Sequence, residues 1–547
     1  MKIKIAKKAG FCMGVRRAVN LVLKALNEKK SYIYTYGPLI HNPQTLKLLD
    51  IFGVQVLKDP NENLPSGVVI IRAHGVPPKE YKALTEKHKV IDGTCPRVLK
   101  VQALAKKAVS EGKEVVIIGD KDHAEVKGIL GYCEGKGYVV SSEEDVVTLP
   151  PLKDYVILSQ TTQDEKLFNH LSKRITSLYP NGKIINTICN ATAVRQNEVR
   201  KLCEECSAIV VIGGKFSANT NRLADVAKKE NKDVFLVESP EELSWEDLKK
   251  HKTVGITAGA STPNWLINEV VDVLKNRTSF FYKFLKAMCF SSATWSLTLF
   301  LIFLGLLLGI NHPLNSKFSY LLLWFLSFSL FRNLLNQNLL KESFKFYLPI
   351  KYRFLSQHQK KLLFFAVLTG FFTLITAFLY KPRIISLVIA LLLIDFLTYR
   401  SALTFFWEIL FLSALSLYLY PFWTFSFGVI FLQAVLVILY LKLYLEIVYF
   451  QTDGFLPKNF LLSTFSYEPK IFFKILNLTI LIGLLITSLT TLFHYKFGVF
   501  FLVWGVAYFL GLVVKKRPLG QVVYLETLVF IVSLAFLACG FFVRSLG

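Results

Sequence analysis

Residues 10–19 read GFCMGVRRAV: a cysteine in a glycine-flanked turn, followed at once by an arginine pair and a helical pattern. A thiolate placed there feels the positive end of a helix dipole and nearby guanidinium groups, which lowers its pKa and makes it a better ligand or nucleophile. Two more cysteines share this setting, Cys95 in IDGTCPRVLKVQ and Cys189 in NTICNATAVRQNEV. Each of the three is followed at nearly constant distance by a polar residue at the end of an apolar strand-like run. Cys12 leads by 29 residues to His41, Cys95 by 28 to His123, and Cys189 by 28 to Ser217. The segments GDKDHAE (119–125) and GGKFSAN (213–219) align without a gap. The pattern is a threefold repeat of turn-cysteine, helix, strand and polar tip, with about 80–95 residues per unit, a comfortable size for a small α/β module.

Open α/β sheets present ligands at the carboxyl ends of their strands, so three such modules can aim three cysteines and their polar tips at one centre. Three thiolates suit a zinc ion with one open position or an iron–sulfur cluster with one iron lacking a protein ligand. Dispersal of the cysteines over roughly 180 residues is unlike the short CxxC pairs of structural zinc sites and favours the cluster. Around them stand further imidazole, hydroxyl and amide groups in Gly-rich turns: His74 in IIRAHGVPP, Thr161 and Thr162 in LSQTTQD, Asn219 beside Ser217, and Ser261 in ITAGASTPNW. Such donors ahead of helices make an anion cradle, most naturally for phosphate oxygens. Glu125, just beyond His123, is the carboxylate whose pKa would rise near an anionic ligand, so that it could serve as an acid.

The chain has 547 residues, 53% of them hydrophobic, and a mean hydropathy of +0.43. From Cys289 onward, apolar runs long enough to cross a bilayer follow one another, whereas residues 1–280 read as a soluble domain. The formal charge of +25 divides into +10 for the first 280 residues (42 Lys+Arg against 32 Asp+Glu) and +15 for the rest (22 against 7). Loop lysines and arginines that set membrane topology explain the larger share, and the modest first-half excess suits an anionic substrate; no nucleic-acid partner is implied. MKIKIAKKAG lacks the apolar core of a signal peptide, so the first half is expected in the cytoplasm with reduced thiols. The other cysteines, the Cys203–Cys206 pair and Cys133, Cys289 and Cys539, are expected to be structural.

In order along residues 1–280, GFCxGVRRAV, GPLIHNP, RAHGVP, DGTCPxV, GDxxHxEVxG, SQTT, ICNAT, RQ, SANTNRL and TAGAST resemble the motifs of the 4-hydroxy-3-methylbut-2-enyl diphosphate reductase (LytB) family, which acts last in the non-mevalonate isoprenoid pathway. The resemblance implies an α/β fold of three pseudo-repeated modules around a [4Fe–4S] cluster held by Cys12, Cys95 and Cys189, with the fourth iron left for the substrate's allylic oxygen. It implies diphosphate binding by His41, His74, Ser217, Asn219 and Ser261, with His123 in the same shell. Glu125, linked to a threonine of SQTT, would be the proton donor; Thr161 is the expected partner, and Thr162 the alternative. Where the family has Ser-Ser-Asn this chain has Ser217-Ala218-Asn219, which removes one phosphate contact worth ~1 kcal/mol. The implied substrate is an allylic diphosphate, and the electron donor a ferredoxin or flavodoxin.

The second half is expected to be an all-α polytopic membrane domain covering 280–547, after a reductase domain at 1–279. About nine apolar stretches are candidate spans, at 290–310, 319–335, 361–380, 384–399, 402–419, 421–441, 473–494, 497–514 and 521–543. Connections rich in Lys and Arg (Lys341 to Lys361; Lys442, Lys458 and Lys470; Lys515 to Arg517) fall on the side of the soluble half, which predicts a multi-pass protein of the cell membrane with a cytoplasmic N-terminus. Two long connections, at 332–356 and 446–469, resemble weakly the active-site loops of UbiA-type prenyltransferases. That family binds Mg²⁺–diphosphate through aspartates, and here only Asp395 and Asp453 follow residue 280; Asn333, Asn336 and Asn338 cannot replace the charge. The expectation is a degenerate domain that anchors the reductase among membrane lipids. The competing readings are a bifunctional reductase and prenyltransferase, and a lipid-handling membrane protein with a soluble metal sensor.

Overall fold

The computed structural model describes residues 1–27, 32–339, 341–398, 407–419, 424–450, 469–515 and 522–546. The chain forms two compact units, Met1–Ile267 and Asn268–Gly547.

The first unit alternates strands and helices: β1 (Lys2–Ile5), α1 (Met13–Asn27), β2 (Ile33–Tyr36), α2 (Pro43–Ile51), β3 (Val54–Leu57), β4 (Val68–Ile71), α3 (Pro78–Lys87), β5 (Lys89–Ile91), α4 (Pro96–Ser110), β6 (Glu114–Ile118), α5 (Ala124–Leu130), β7 (Gly137–Val140), α6 (Glu143–Val147), β8 (Tyr155–Ser159), α7 (Glu165–Leu178), β9 (Gly182–Ile184), α8 (Asn190–Glu205), β10 (Ala208–Ile212), α9 (Ala218–Lys229), β11 (Asp233–Val237), α10 (Trp245–Leu248), β12 (Thr253–Ala258) and α11 (Asn264–Thr278). The strands form three four-stranded sheets, β3-β2-β4-β5, β7-β6-β8-β9 and β11-β10-β12-β1, and every pairing is parallel. The α/β fold of three repeated modules is therefore as the sequence implies. What the repeat did not reveal is how the third sheet is completed. Its fourth strand is β1, with Lys2 beside Thr253 and Ile5 beside Ile256.

The two interior strands of each sheet are the most apolar. Val68 to Ile71, Val115 to Ile118 and Ala208 to Ile212 are all buried, as a strand covered on both faces requires. Each fully buried Val or Ile contributes about 1.5–3 kcal/mol relative to exposure, so the strand ends are fixed platforms. The chain leaves interior neighbours such as β2 and β4 toward opposite edges of the sheet, and such a switch point opens a crevice at the carboxyl ends. Every tip residue lies there: His41 and His74 beyond β2 and β4, His123 and Thr161–Thr162 beyond β6 and β8, Ser217 and Ser261 beyond β10 and β12.

The second unit is all helical: α12 (Phe280–Phe290), α13 (Ala293–Gly309), α14 (Ser316–Leu339), α15 (Phe344–Tyr347), α16 (Pro349–Tyr380), α17 (Ile384–Thr398), α18 (Trp407–Leu419), α19 (Phe425–Phe450), α20 (Pro469–Phe493), α21 (Phe501–Lys515), α22 (Val522–Thr527) and α23 (Val529–Ser545). Among the described residues six helices are long and apolar enough to cross a membrane, or seven if the bent pair α12–α13 counts as one span. This is fewer than the nine apolar stretches. The stretch at 384–399 is described over α17 (Ile384–Thr398) and the one at 402–419 over α18 (Trp407–Leu419). Residues 399, 402–406, 421–423 and 521 of the expected spans lie outside the described residues. So do Asp453, Lys458, Lys516, Arg517 and most of the second long connection. The first long connection is largely helical, passing from α14 through α15 into α16.

α13 and α23 cross at a glycine pair, where a methyl group on Gly540 would meet the backbone of Gly305; small residues let membrane helices approach this closely. Two lysines expected in topology-setting loops are inside the bundle. Lys351 is 3% exposed. Lys442, on α19, pairs with the buried Glu408 of α18, which also accepts from Arg332 of α14 at 3.0 Å. Arg332 lies over the Trp407 ring, 3.8 Å from its centroid, and Asn333 donates to Ser296 at 2.9 Å. A lysine in the core can stay charged beside an acid, and for Lys442 the acid comes from the preceding helix.

Candidate active site

Each cysteine follows the edge strand of one sheet and precedes the helix that leads to the next. Cys95 and Cys189 are the N-cap residues of α4 and α8, and Cys12 directly precedes α1. The three backbone N–H groups make equivalent bonds: Cys12 to the carbonyl of Ala260 (3.0 Å), Cys95 to Ala73 (3.0 Å) and Cys189 to Thr161 (2.9 Å). These acceptors precede Ser261, His74 and Thr162, so backbone bonds tie each thiol to a polar tip. Gly14 brings the first turn of α1 against Cys95; a methyl group there would overlap Cys95 Sγ. The helix N-terminus was expected to lower the thiol pKa. At Cys95 burial outweighs the N–H groups of Arg97 and Val98, and the thiol is pushed up.

All thirteen residues singled out in the sequence line one cavity of about 100 Å³: Cys12, Cys95, Cys189, His41, His74, His123, Glu125, Thr161, Thr162, Ser217, Ala218, Asn219 and Ser261. The three imidazoles form a cluster, with ring centroids 4.5 Å apart for His41–His74, 5.6 Å for His41–His123 and 5.4 Å for His74–His123. Burial lowers the pKa of all three and Arg72 lowers it further; His41 and His123 add to the shift at His74, and His41 to that at His123, which falls to about 4. His123 Nδ1 accepts the N–H of Glu125 at 3.2 Å, capping α5. In the neutral ring that bond assigns the proton to Nε2. Several buried polar atoms in the cavity have no partner: His41 Nε2, His74 Nδ1, and both amide atoms of Asn219. Orphaned groups at this density are costly and call for a polar ligand.

Glu125 is 2% exposed. It accepts from Thr161 N at 2.6 Å and from Thr161 Oγ1 at 2.9 Å. Burial pushes its pKa up to about 7 against the opposing pull of those bonds. Thr162 instead accepts from Gln160 Nε2 at 2.9 Å, so the carboxyl group is joined to Thr161, the expected threonine. Ser217 caps α9, and Ser261 Oγ donates to the carbonyl of His41 at 3.1 Å. Ala218 is the first residue of α9, where backbone N–H groups lack intrahelical partners.

The profile of the family described as LytB protein matches residues 3–275. A 4-hydroxy-3-methylbut-2-enyl diphosphate reductase of Alkaliphilus oremlandii is 42% identical over 279 residues, which is 50% of this chain and 100% of the relative. The chain belongs to the LytB family. A reductase of the same name from Aquifex aeolicus is 45% identical over 273 residues, 49% of this chain and 94% of that one. A solved structure of (E)-4-hydroxy-3-methyl-but-2-enyl diphosphate reductase is 43% identical and is matched over its whole length by 50% of this chain, with a TM-score of 0.41.

Within the LytB half, one charged residue escaped the site reading although its motif, RQ, had been noted. Arg195 is 6% exposed. It donates to the carbonyls of Ala191 (2.9 Å) and Gly10 (2.7 Å) and lies within electrostatic reach of Cys12 and Cys189. It joins α8 to the first cysteine turn and sets a buried cation behind two thiols. Its position on the inner face of α8 was the one available signal. The remaining cysteines are buried: Cys203 and Cys206 pack with Leu202 and Ile209, and burial pushes Cys133 to about 12 and Cys203 to about 11.

Proposed function

We propose that residues 1–279 reductively remove the hydroxyl of 4-hydroxy-3-methylbut-2-enyl diphosphate, giving isopentenyl and dimethylallyl diphosphate, and that residues 280–547 anchor this enzyme in the cell membrane with its catalytic domain on the cytoplasmic side. The observation that carries the reading is a single cavity that joins three cysteines, a protonatable buried glutamate and a set of orphaned buried donors. The relatives' names supply the substrate.

Cys12, Cys95 and Cys189 fit an iron–sulfur cluster: three soft donors converge on one cavity, each anchored by an equivalent backbone bond. A [4Fe–4S] cluster held there supplies electrons and a Lewis acid at the iron without a cysteine. The protein's own groups do the rest. His41, His74, Ser217, Asn219 and Ser261 bind the diphosphate, with the Nε2–H of His123 directed to the same anion and the N-terminus of α9 aligned with it. Glu125 holds a proton near neutral pH, and Thr161 Oγ1 carries it to the departing hydroxyl, which leaves as water. Burial of the cavity excludes bulk water from the reacting carbon.

The test uses the full-length protein, purified in detergent under anaerobic conditions, with dithionite and methyl viologen as reductant. Both five-carbon diphosphates should form; an intact cluster absorbance with no product overturns the reading. The histidine cluster adds a pH prediction. The three imidazoles are depressed by burial and by the nearby Arg72 cation, and an anion reverses that balance, so binding takes up protons. Inorganic pyrophosphate should bind roughly tenfold more weakly at pH 8 than at pH 6, and calorimetry in two buffers of different ionisation enthalpy should show net proton uptake. Binding without proton uptake would mean that the imidazoles stay neutral in the complex.

A further inference from the structure

Six residues beyond each cysteine of the centre, the helix that follows it turns a buried position inward. In α1 and α4 that position holds Ala18 and Val101, and in α8 it holds Arg195. Two modules of the repeat thus close with an apolar side chain at this place, and building the helix does not require the charge that the third one carries. Among the described residues of the first unit, Arg195 is the one Lys or Arg that is buried. Taking a guanidinium out of water is costly unless an anion stands close to it.

The hydrogen-bond partners of Arg195 are neutral. They are the carbonyls of Gly10, two residues before Cys12, and Ala191, two residues after Cys189, and the buried Nε atom has no partner. Among the described residues no carboxylate forms an ion pair with the guanidinium. Glu198, an acid one turn further along α8, accepts instead from the backbone N–H of Lys8 at 2.9 Å. Burial depresses the pKa of Arg195, and against that pull Cys12 and Cys189 act more strongly than Glu198. The negative charge that answers this cation is therefore the cysteine centre.

We propose that Arg195 is a built-in counter-ion that raises the reduction potential of the cluster held by Cys12, Cys95 and Cys189. The inference rests on the reductase reading for the identity of that cluster. Three thiolates give the centre negative charge, and each electron that enters from an external one-electron donor, oxidised as it gives the electron up, adds one more. Net charge and nearby dipoles set the potential of such clusters. A fixed cation buried behind two of the ligands is little screened by salt and favours the reduced form over the oxidised one. The cluster then accepts an electron from a weaker donor. Arg195 does not line the cavity, so it acts through the cluster and makes no contact with the substrate.

The experiment is an anaerobic redox titration of the full-length protein without substrate, with dithionite as reductant and low-potential mediators, read by cluster absorbance and by electron paramagnetic resonance of the reduced form. Arg195→Gln removes the charge and keeps an N–H donor at the site; Arg195→Lys keeps the charge and loses the planar fork. Arg200→Gln removes a charge from the same helix at the surface, where Arg200 bonds Asn197. The one-electron equilibrium constant should fall at least about tenfold in Arg195→Gln, a midpoint lower by ~59 mV. It should stay within about threefold in Arg195→Lys and about twofold in Arg200→Gln. An unchanged midpoint in Arg195→Gln, or an equal fall in either of the other variants, overturns the proposal. So does loss of the cluster from Arg195→Gln, which would make the residue part of cluster assembly. An unmodified protein that holds its cluster but forms no product would overturn the reductase reading instead, and the titration still decides the role of Arg195. An unmodified protein that takes up no cluster overturns both.

Discussion

Replacing Glu125 with glutamine is expected to lower turnover at least about 100-fold, the scale of losing a general acid, with little change in KM. The geometry is conserved by the swap: the amide oxygen can still accept from Thr161 N, so the loss isolates the proton. In the unmodified protein Glu125 is protonated below about pH 7, and turnover should fall as pH rises through that value; the variant's residual rate should lack this limb. Stability should fall over the same range of pH. A carboxyl whose folded pKa is raised from 4.5 to about 7 favours the folded state fully below 4.5, and that contribution is lost as pH rises through 7. The melting temperature of Glu125→Gln should therefore exceed that of the unmodified protein at pH 8, and the gap should close at pH 5. An acid limb that survives in the variant would assign the proton to another group.

Loss of cluster assembly is the second large effect. Cys95→Ser replaces a soft sulfur with a hard oxygen and should abolish both the iron–sulfur absorbance and turnover. Gly14→Ala is the more informative variant. It leaves all three cysteines in place but sets a methyl group against Cys95 Sγ and within 2.9 Å of Cys95 Cβ, so turning the thiol alone does not relieve the clash. Cluster content should drop several-fold while the melting temperature of the cluster-free protein stays near normal. Full cluster content in Gly14→Ala would show that the cysteine turn is softer than its backbone bond to Ala73 suggests.

The site was legible in the sequence because the repeat made it so. Spacings of 28 and 29 residues between Cys and tip follow from one helix and one strand, and parallel pairing puts the cysteines after edge strands and the tips after interior strands at the same sheet ends. Three things were hidden. The strand KIKI at 2–5 finds its partner only at residues 253–256, and nothing local names that pairing. Arg195 resembles any other helical arginine until the Gly10 turn closes over it. In the second half, hydropathy located helices but could not place Lys442 in the core, because the Glu408 that pairs with it belongs to another helix.

The β1–β12 pairing also sets a timetable. A ribosome adds about 5–20 residues each second, so β1 waits many seconds as an unpaired edge before β12 leaves the exit tunnel. The first two sheets can close meanwhile from consecutive chain. The third, and with it the Cys12 turn, cannot close until the first apolar helices of the second half are already being made. Closure of the Cys12 turn and synthesis of the first apolar helices are thereby brought into the same interval.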